Sequence, residues 1–248
     1  MFFFKKKETS KKITPIPIDI HAHLIPNIDD GPKTMSEALD LIRGLKDLGY
    51  HTLTATPHVY SQYYNNSTKS IKAQFILLKK AVEHAQVDVK LHCAAEYYLE
   101  KPFKKLLATG ALLTLGDNRV LVETSTLSKD SNLFEYIFDI QMKGFQPILA
   151  HPERYGYLSE KEYIKLVEHG CEFQLNLLSL AGYYGGTALK RAKLLLKKEL
   201  IHFIGSDVHN QQQLQALNKF VHSGKTIKLL HKKSFNNHQI FQEHGSII

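Results

Sequence analysis

The chain has 248 residues, 43% of them hydrophobic, enough to bury a full α/β core, and it carries a net charge of +8 at pH 7. Its two cysteines, Cys93 and Cys171, lack C-x-x-C spacing, which excludes a disulfide framework and a zinc ribbon, and no apolar run is long enough for a membrane-spanning helix. The basic balance suits an anionic partner, but no basic motif interleaved with aromatics is present, so nucleic acid is not expected.

Residues 1–12 place Phe2 to Phe4 ahead of Lys5 to Lys7, the reverse of a secretory signal, and are expected to form a loose arm before a single domain at residues 13–248. A reducing cytoplasm is the expected setting. Short segments rich in Ile, Val and Leu predict strands at residues 16–23, 51–58, 87–97, 119–124, 146–151, 171–176 and 201–207. Helical periodicity predicts helices at 36–48, 69–85, 132–143, 160–169, 187–198 and 211–222, and the last fifteen or so residues suggest a terminal helix. Ser36 reads as the opening of the first helix, while Gly49, Gly144 and Gly170 follow others and suit the left-handed residue that ends a helix. Repeated βα units without a long linker predict a parallel α/β barrel, whose active site lies at the carboxyl ends of the strands.

Those ends are where the polar residues gather. The first strand closes with Asp19-Ile20-His21-Ala22-His23, and period-two alternation sends His21 and His23 to one side, where two imidazoles can grip a metal ion. The next strands end in Ala55-Thr56-Pro57-His58, Ala94-Ala95-Glu96, Val122-Glu123-Thr124 and Ala150-His151-Pro152, and the last in Gly205-Ser206-Asp207-Val208-His209. Six apolar strands ending in chargeable groups are hard to explain structurally, because a buried charge is costly unless compensated. Taken alone, each signal is weak: H-x-H is often a satisfied core histidine, and Asp29-Asp30-Gly31 is as readily a turn. Mixed imidazole and carboxylate donors suit manganese, iron or zinc, and two ions about 3.5–4 Å apart can activate water and neutralise phosphoryl oxygens. Glu96 is placed to bridge ions. Arg154 could fork onto phosphate oxygens, or simply pair with Glu153 or Glu160, and Lys33 beside the Asp29-Asp30-Gly31 loop could add positive charge.

These segments, together with Pro32-Lys33, Glu153-Arg154-Tyr155 and Asn210, resemble the polymerase-and-histidinol-phosphatase superfamily, and within it the bacterial tyrosine phosphatases of capsule and exopolysaccharide operons. The resemblance covers nearly the whole chain. It implies a distorted (β/α)7 TIM-like barrel and three divalent metal ions, manganese first with iron and zinc as the other candidates. It implies His21, His23, Glu96 and Asp207 on one ion. Glu96, Glu123 and His151 would hold a second, and Asp30, His58 and His209 a third. Arg154 matches the arginine that contacts substrate phosphate, and the implied substrate is a phosphotyrosine protein, the tail of a bacterial tyrosine autokinase. Some relatives carry an arginine where Gln211-Gln212-Gln213 stands here, which puts a second phosphate ligand in doubt. Two other readings stay open from sequence: a phosphoesterase for a small molecule such as histidinol phosphate, and a noncatalytic metal-binding scaffold. A cysteine phosphatase is excluded, since neither Cys93 nor Cys171 begins a C-x5-R loop.

Overall fold

The computed structural model describes residues 16–230 and 233–241. The expected arm at residues 1–12 lies outside the described residues, and so does the end of the expected terminal helix, residues 242–248. Chain order is β1 (Ile18–Ala22), α1 (Met35–Asp47), β2 (Thr52–Ala55), β3 (His58–Val59), α2 (Thr68–His84), β4 (Lys90–Cys93), β5 (Glu96–Tyr98) and α3 (Lys101–Thr109). It continues with β6 (Arg119–Glu123), α4 (Leu133–Met142), β7 (Gln146–Ala150), α5 (Glu160–Glu168), β8 (Glu172–Asn176), α6 (Leu177–Leu180), α7 (Gly185–Lys197), β9 (Phe203–Gly205), α8 (Gln211–His222) and α9 (Lys225–Leu230).

Seven strands were expected, and two of them prove to be broken in the middle. At the first break Pro57 has no N–H to give, so β2 stops and β3 resumes at His58. The partner strand breaks at the same level, between β4 and β5. Register nevertheless runs through: Ala55 pairs with Cys93 and His58 with Glu96, an offset of 38 residues on both sides (93 − 55 and 96 − 58). Seven staggered parallel strands therefore follow one another in the order β1, β2/β3, β4/β5, β6, β7, β8, β9. β9 meets β1 again through Asp207 N donating to His21 O (2.8 Å) and His23 N donating to Val208 O (3.0 Å). The architecture is the distorted (β/α)7 barrel.

Alternation along the strands separates two apolar layers. Leu121, Ile148 and Phe203 gather with Ile20, Leu115 and Ile240 in one cluster. Their strand neighbours Val120, Val122, Leu149 and Ile204 join the larger cluster under the helices. All six predicted helices form within two residues of their expected bounds. The first is capped by Thr34, whose hydroxyl accepts from Glu37 N (3.2 Å), rather than opened by Ser36. Gly49, Gly144 and Gly170 do take positive φ. Helix α3 was not expected: it has only two buried apolar residues, Phe103 and Leu107, and Pro102 in its first turn disguises it. Near the carboxyl end, Asn236–Phe241 forms a 3-10 turn instead of an α-helix.

That turn closes the barrel. Asn237 is buried, donates to the carbonyls of Ile18 (2.9 Å) and Ile204 (2.7 Å), and accepts from Ile204 N (3.0 Å), so one amide stitches β1 to β9 where ladder bonds are missing. Asn237→Ala should strand two carbonyls and one N–H, lowering stability by about 1–3 kcal/mol. A denaturant titration reads this as a lower midpoint with unchanged slope.

Candidate metal centre

At the carboxyl end of the barrel the nine expected ligand residues come together, with the fully buried Glu96 among them. β1 delivers His21 and His23 through a bulge: Asp19 pairs with Leu53 but Ala22 with Ala55, three steps against two. The extra residue lets Ile20 join the apolar barrel cluster while its neighbour His21 joins the polar one. At the ends of β7 and β9 the turn is made by backbone strain, since His151 (φ 35°) and Asp207 (φ 53°) are left-handed without being glycine. Gly205 makes room beside them, because a Cβ there would lie 2.7 Å from His21 Cβ and 2.6 Å from Gln174 Nε2.

Three overlapping donor groups result. His21, His23 and Glu96 form one, and Asp207 Oδ1 stands 3.4 and 3.5 Å from the two imidazole nitrogens. His58, Glu96 and Glu123 form the second, with His151 Nε2 3.0 Å from Glu96 Oε1 and 3.8 Å from Glu123 Oε2. The third is His23, Asp30, His58 and His209. His23 and His58 thus each belong to two groups, where the motif resemblance allotted each to one.

The donor chemistry fits divalent cations. Glu96 Oε2 has no hydrogen-bond partner although His21 Nε2 (3.2 Å), His58 Nδ1 (3.2 Å) and His23 Nε2 (3.4 Å) surround it. Several imidazole nitrogens converging on one buried carboxylate oxygen is the arrangement a shared cation would satisfy. Electrostatics agree. Burial opposes the charge on Glu96 and Asp207, yet the surrounding imidazoles hold both well below the usual carboxylate range. His21 is opposed by its burial too, but Glu96 and Asp207 push it up to about 9. His23 and His209 stack at 3.8 Å, so charge on one disfavours charge on the other: burial opposes both, Asp29 then raises His23, and His23 in turn lowers His209.

A further set of side chains, not picked out as site residues in the sequence, aims the ligands. Gln174 Oε1 accepts from His21 Nδ1 (2.8 Å), leaving Nε2 to face Glu96. Asp29 Oδ2 takes His23 Nδ1 (2.8 Å) and the His58 N–H (3.1 Å). Asn176 Nδ2 holds Asp207 Oδ2 (2.6 Å), and buried Glu153 accepts from Asn176 N (3.1 Å) and Ser179 Oγ (2.6 Å). Gln213 Oε1 receives the His209 N–H (2.6 Å), so the segment that lacks an arginine contributes an anchor. The available clue was the alternation in Glu172-Phe173-Gln174-Leu175-Asn176, which turns two amides to the same side as the ligands.

Of the two expected cations, Arg154 reaches the site: its Nη1 lies 3.4 Å from Asp207 Oδ2, its guanidinium sits 4.5 Å over the Tyr184 ring, and 28% of its side chain is open to solvent. The Lys33 ammonium donates to Asp29 O (2.7 Å), fastening the loop. Neither cysteine takes part, and burial pushes the Cys93 thiol up to about 12 and Cys171 higher still.

Residues 17–237 match the model of the family described as capsular polysaccharide synthesis, CpsB/CapC. The chain belongs to this family. It is 30% identical to the tyrosine-protein phosphatase YwqE of Bacillus subtilis (strain 168) over 78% of this chain and 77% of that protein. It is 29% identical to the tyrosine-protein phosphatase CpsB of Streptococcus pneumoniae over 78% and 83% of the two chains. Among solved structures, the crystallographic work on YwqE and CpsB, described as unique metal-dependent tyrosine phosphatases, supplies a match with TM-score 0.73 at 26% identity, covering 88% of this chain and 96% of that one.

Gln174→Ala would free the His21 ring and should weaken manganese binding about 10–100-fold. Calorimetric titration of metal-stripped protein reads this directly, and an unchanged affinity would remove Gln174 from the aiming set.

Proposed function

We propose that the chain is a metal-dependent protein-tyrosine phosphatase of capsule or exopolysaccharide synthesis. The observation that carries this reading is the closed cluster of imidazoles and carboxylates around Glu96, with Arg154 at its rim, in a chain whose relatives are named tyrosine-protein phosphatases. Seven donors in three overlapping groups, with Asp207 and His151 beside them, support three divalent ions, manganese first and iron or zinc next. His21, His23, Asp30, His58, Glu96, Glu123, His151, Asp207 and His209 would hold them. The capsule family supports a tyrosine autokinase as the phosphotyrosine substrate, and two unbridged cysteines suit a reducing cytoplasm. No helix among the described residues is long and apolar enough to cross a membrane.

When bound, divalent ions would supply a nucleophile at neutral pH and offset the charge that builds on the phosphoryl oxygens. The chain's own residues do the remaining work. Arg154 offers its guanidinium edge to non-bridging oxygens, held in place by the Tyr184 ring behind it and Asp207 beside it. Gln174, Asp29 and Asn176 fix the tilt of the ligands, so that little reorganisation accompanies phosphoryl transfer. The departing group is a phenol that ionises near 10, so it asks less of a proton donor than an alkyl alcohol does. With both thiols held as poor nucleophiles, no cysteinyl phosphate enters the route.

Metal-stripped protein should release no phosphate from a phosphotyrosine peptide, regain turnover with manganese, and act more weakly on histidinol phosphate and a phosphoserine peptide. Preference for histidinol phosphate would move the function to a small molecule, and no turnover with any metal would favour a scaffold. Arg154→Ala should lower kcat/KM for the phosphotyrosine peptide about 100-fold or more, in line with loss of an electrostatic donor, while metal content stays the same.

A further inference from the structure

Tyrosines approach the candidate ligands in two separate groups. In one, Tyr184 backs the Arg154 guanidinium and its hydroxyl lies 3.4 Å from Gln213 Nε2, so its ring is occupied in holding the arginine. The other group is differently arranged. Tyr98 sits two residues beyond Glu96 on β5, on the same face of the strand, and so stands above the ligand cluster. Tyr60 lies flat on Tyr98, with ring centroids 4.0 Å apart and planes within 5°. Tyr64 lies nearly parallel to the candidate ligand His58, with ring centroids 5.4 Å apart and an angle of 11°. All three tyrosines are half-buried.

The loop that carries Tyr60 and Tyr64 is tied at several points. Tyr60 and Tyr64 exchange backbone hydrogen bonds of 3.0 and 2.7 Å, and Asn66 Nδ2 donates to the carbonyls of Ile28 and His58 at 2.8 Å each. Ser61 N donates to Glu100 Oε1 at 2.7 Å, which anchors the same loop next to β5. These are aromatic surfaces held in fixed positions beside the candidate metal ligands, and Arg154 stacks on a different tyrosine.

We propose that Tyr64, together with the stacked Tyr60 and Tyr98, forms an aromatic wall that seats the phenyl ring of the substrate while Arg154 and the ligand cluster take its phosphate. This rests on the phosphatase reading and supplies its selectivity. A phosphate held at the cluster carries its ester substituent toward the mouth, where an aryl ring meets π faces and an alkyl chain meets nothing it can stack on. An aromatic pair contributes about 0.5–1.5 kcal/mol beyond area burial, so each ring of the wall accounts for up to about a tenfold preference for an aryl ester. Tyr64 and Tyr98 are therefore specificity-determining positions, outside the chemistry itself.

The test separates ring from phosphate. On manganese-loaded protein, the affinity for a peptide carrying the non-hydrolysable phosphonomethyl-phenylalanine and the affinity for inorganic phosphate are measured by calorimetry for the wild type, Tyr64→Leu, Tyr98→Leu and Tyr64→Phe. The wall predicts that the ratio of the two affinities falls about five- to tenfold in each leucine variant and is kept in Tyr64→Phe. A parallel loss of both affinities, or no change in the ratio, overturns it. Turnover of a phosphotyrosine peptide by the wild type is the companion measurement. If the wild type releases phosphate while the ratio is unmoved, the wall alone fails; if the wild type releases none, the phosphatase reading fails and the wall with it.

Discussion

A carboxylate inside a barrel, out of reach of water, stays charged only where positive charge or hydrogen bonds compensate it, and Glu96 is in that position. Three of the strands around it bring imidazoles. β1 bulges to bring two imidazoles within 3.2 and 3.4 Å of its oxygen, β3 begins with a third, and His151 comes to 3.0 Å at the end of β7. Imidazoles alone satisfy it imperfectly, since one oxygen stays without a hydrogen bond. Cations shared among the three donor groups would complete the arrangement, and the same requirement explains why the polar residues lie at one level of the barrel, above an apolar floor of Ile20, Leu121, Ile148 and Phe203.

Precision in such a site comes from the side chains behind the ligands. His21 is aimed by an amide, His23 by a carboxylate, His209 through its backbone by another amide. Gln174 also accepts from His151 N at 3.4 Å, so one side chain links the ends of β1 and β7. The left-handed backbone at His151 and Asp207 carries a cost of about 1–3 kcal/mol each. Pinning by Glu153 and Asn176 offsets it: Glu153 fastens the turn after β7 to the start of α6, and Asn176 draws Asp207 inward.

The parts of this design that were legible in the sequence share a physical signature. Helices α1, α2, α4, α5, α7 and α8 announce themselves by periodicity and glycine stops, and the candidate ligands that cluster at the barrel mouth by their place at the ends of apolar strands. What was not legible depends on contacts distant along the chain. The bulge in β1 is visible only against β2, and the breaks in the second and third strands only because they occur side by side. Asn237 looks like an ordinary loop asparagine until it is seen bridging Ile18 and Ile204. Gln174 and Asn176 were overlooked because neutral amides in a strand carry no charge that would flag them, although the ligands depend on their hydrogen bonds.

Local charge at the barrel mouth is balanced separately from the net charge of the chain. The chain as a whole is basic, with a formal charge of +8, and the barrel mouth sets Asp29, Asp30, Glu96, Glu123 and Asp207 against Arg154, Lys33 and the imidazoles of His21, His23 and His58, whose hold on a proton these carboxylates strengthen. Two like unit charges about 4 Å apart repel by about 4 kcal/mol at the effective dielectric typical near a protein surface. With the imidazoles neutral, a phosphate dianion approaching these carboxylates would meet several such terms, and Arg154, already shared with Asp207, could offset only part of them. Imidazoles must give up their protons to ligate, so bound ions would take over the task of offsetting these carboxylates for an incoming ester. The aromatic wall adds the part of recognition that charge cannot provide, because a ring's stacking energy is indifferent to the sign of the field in which the phosphate sits.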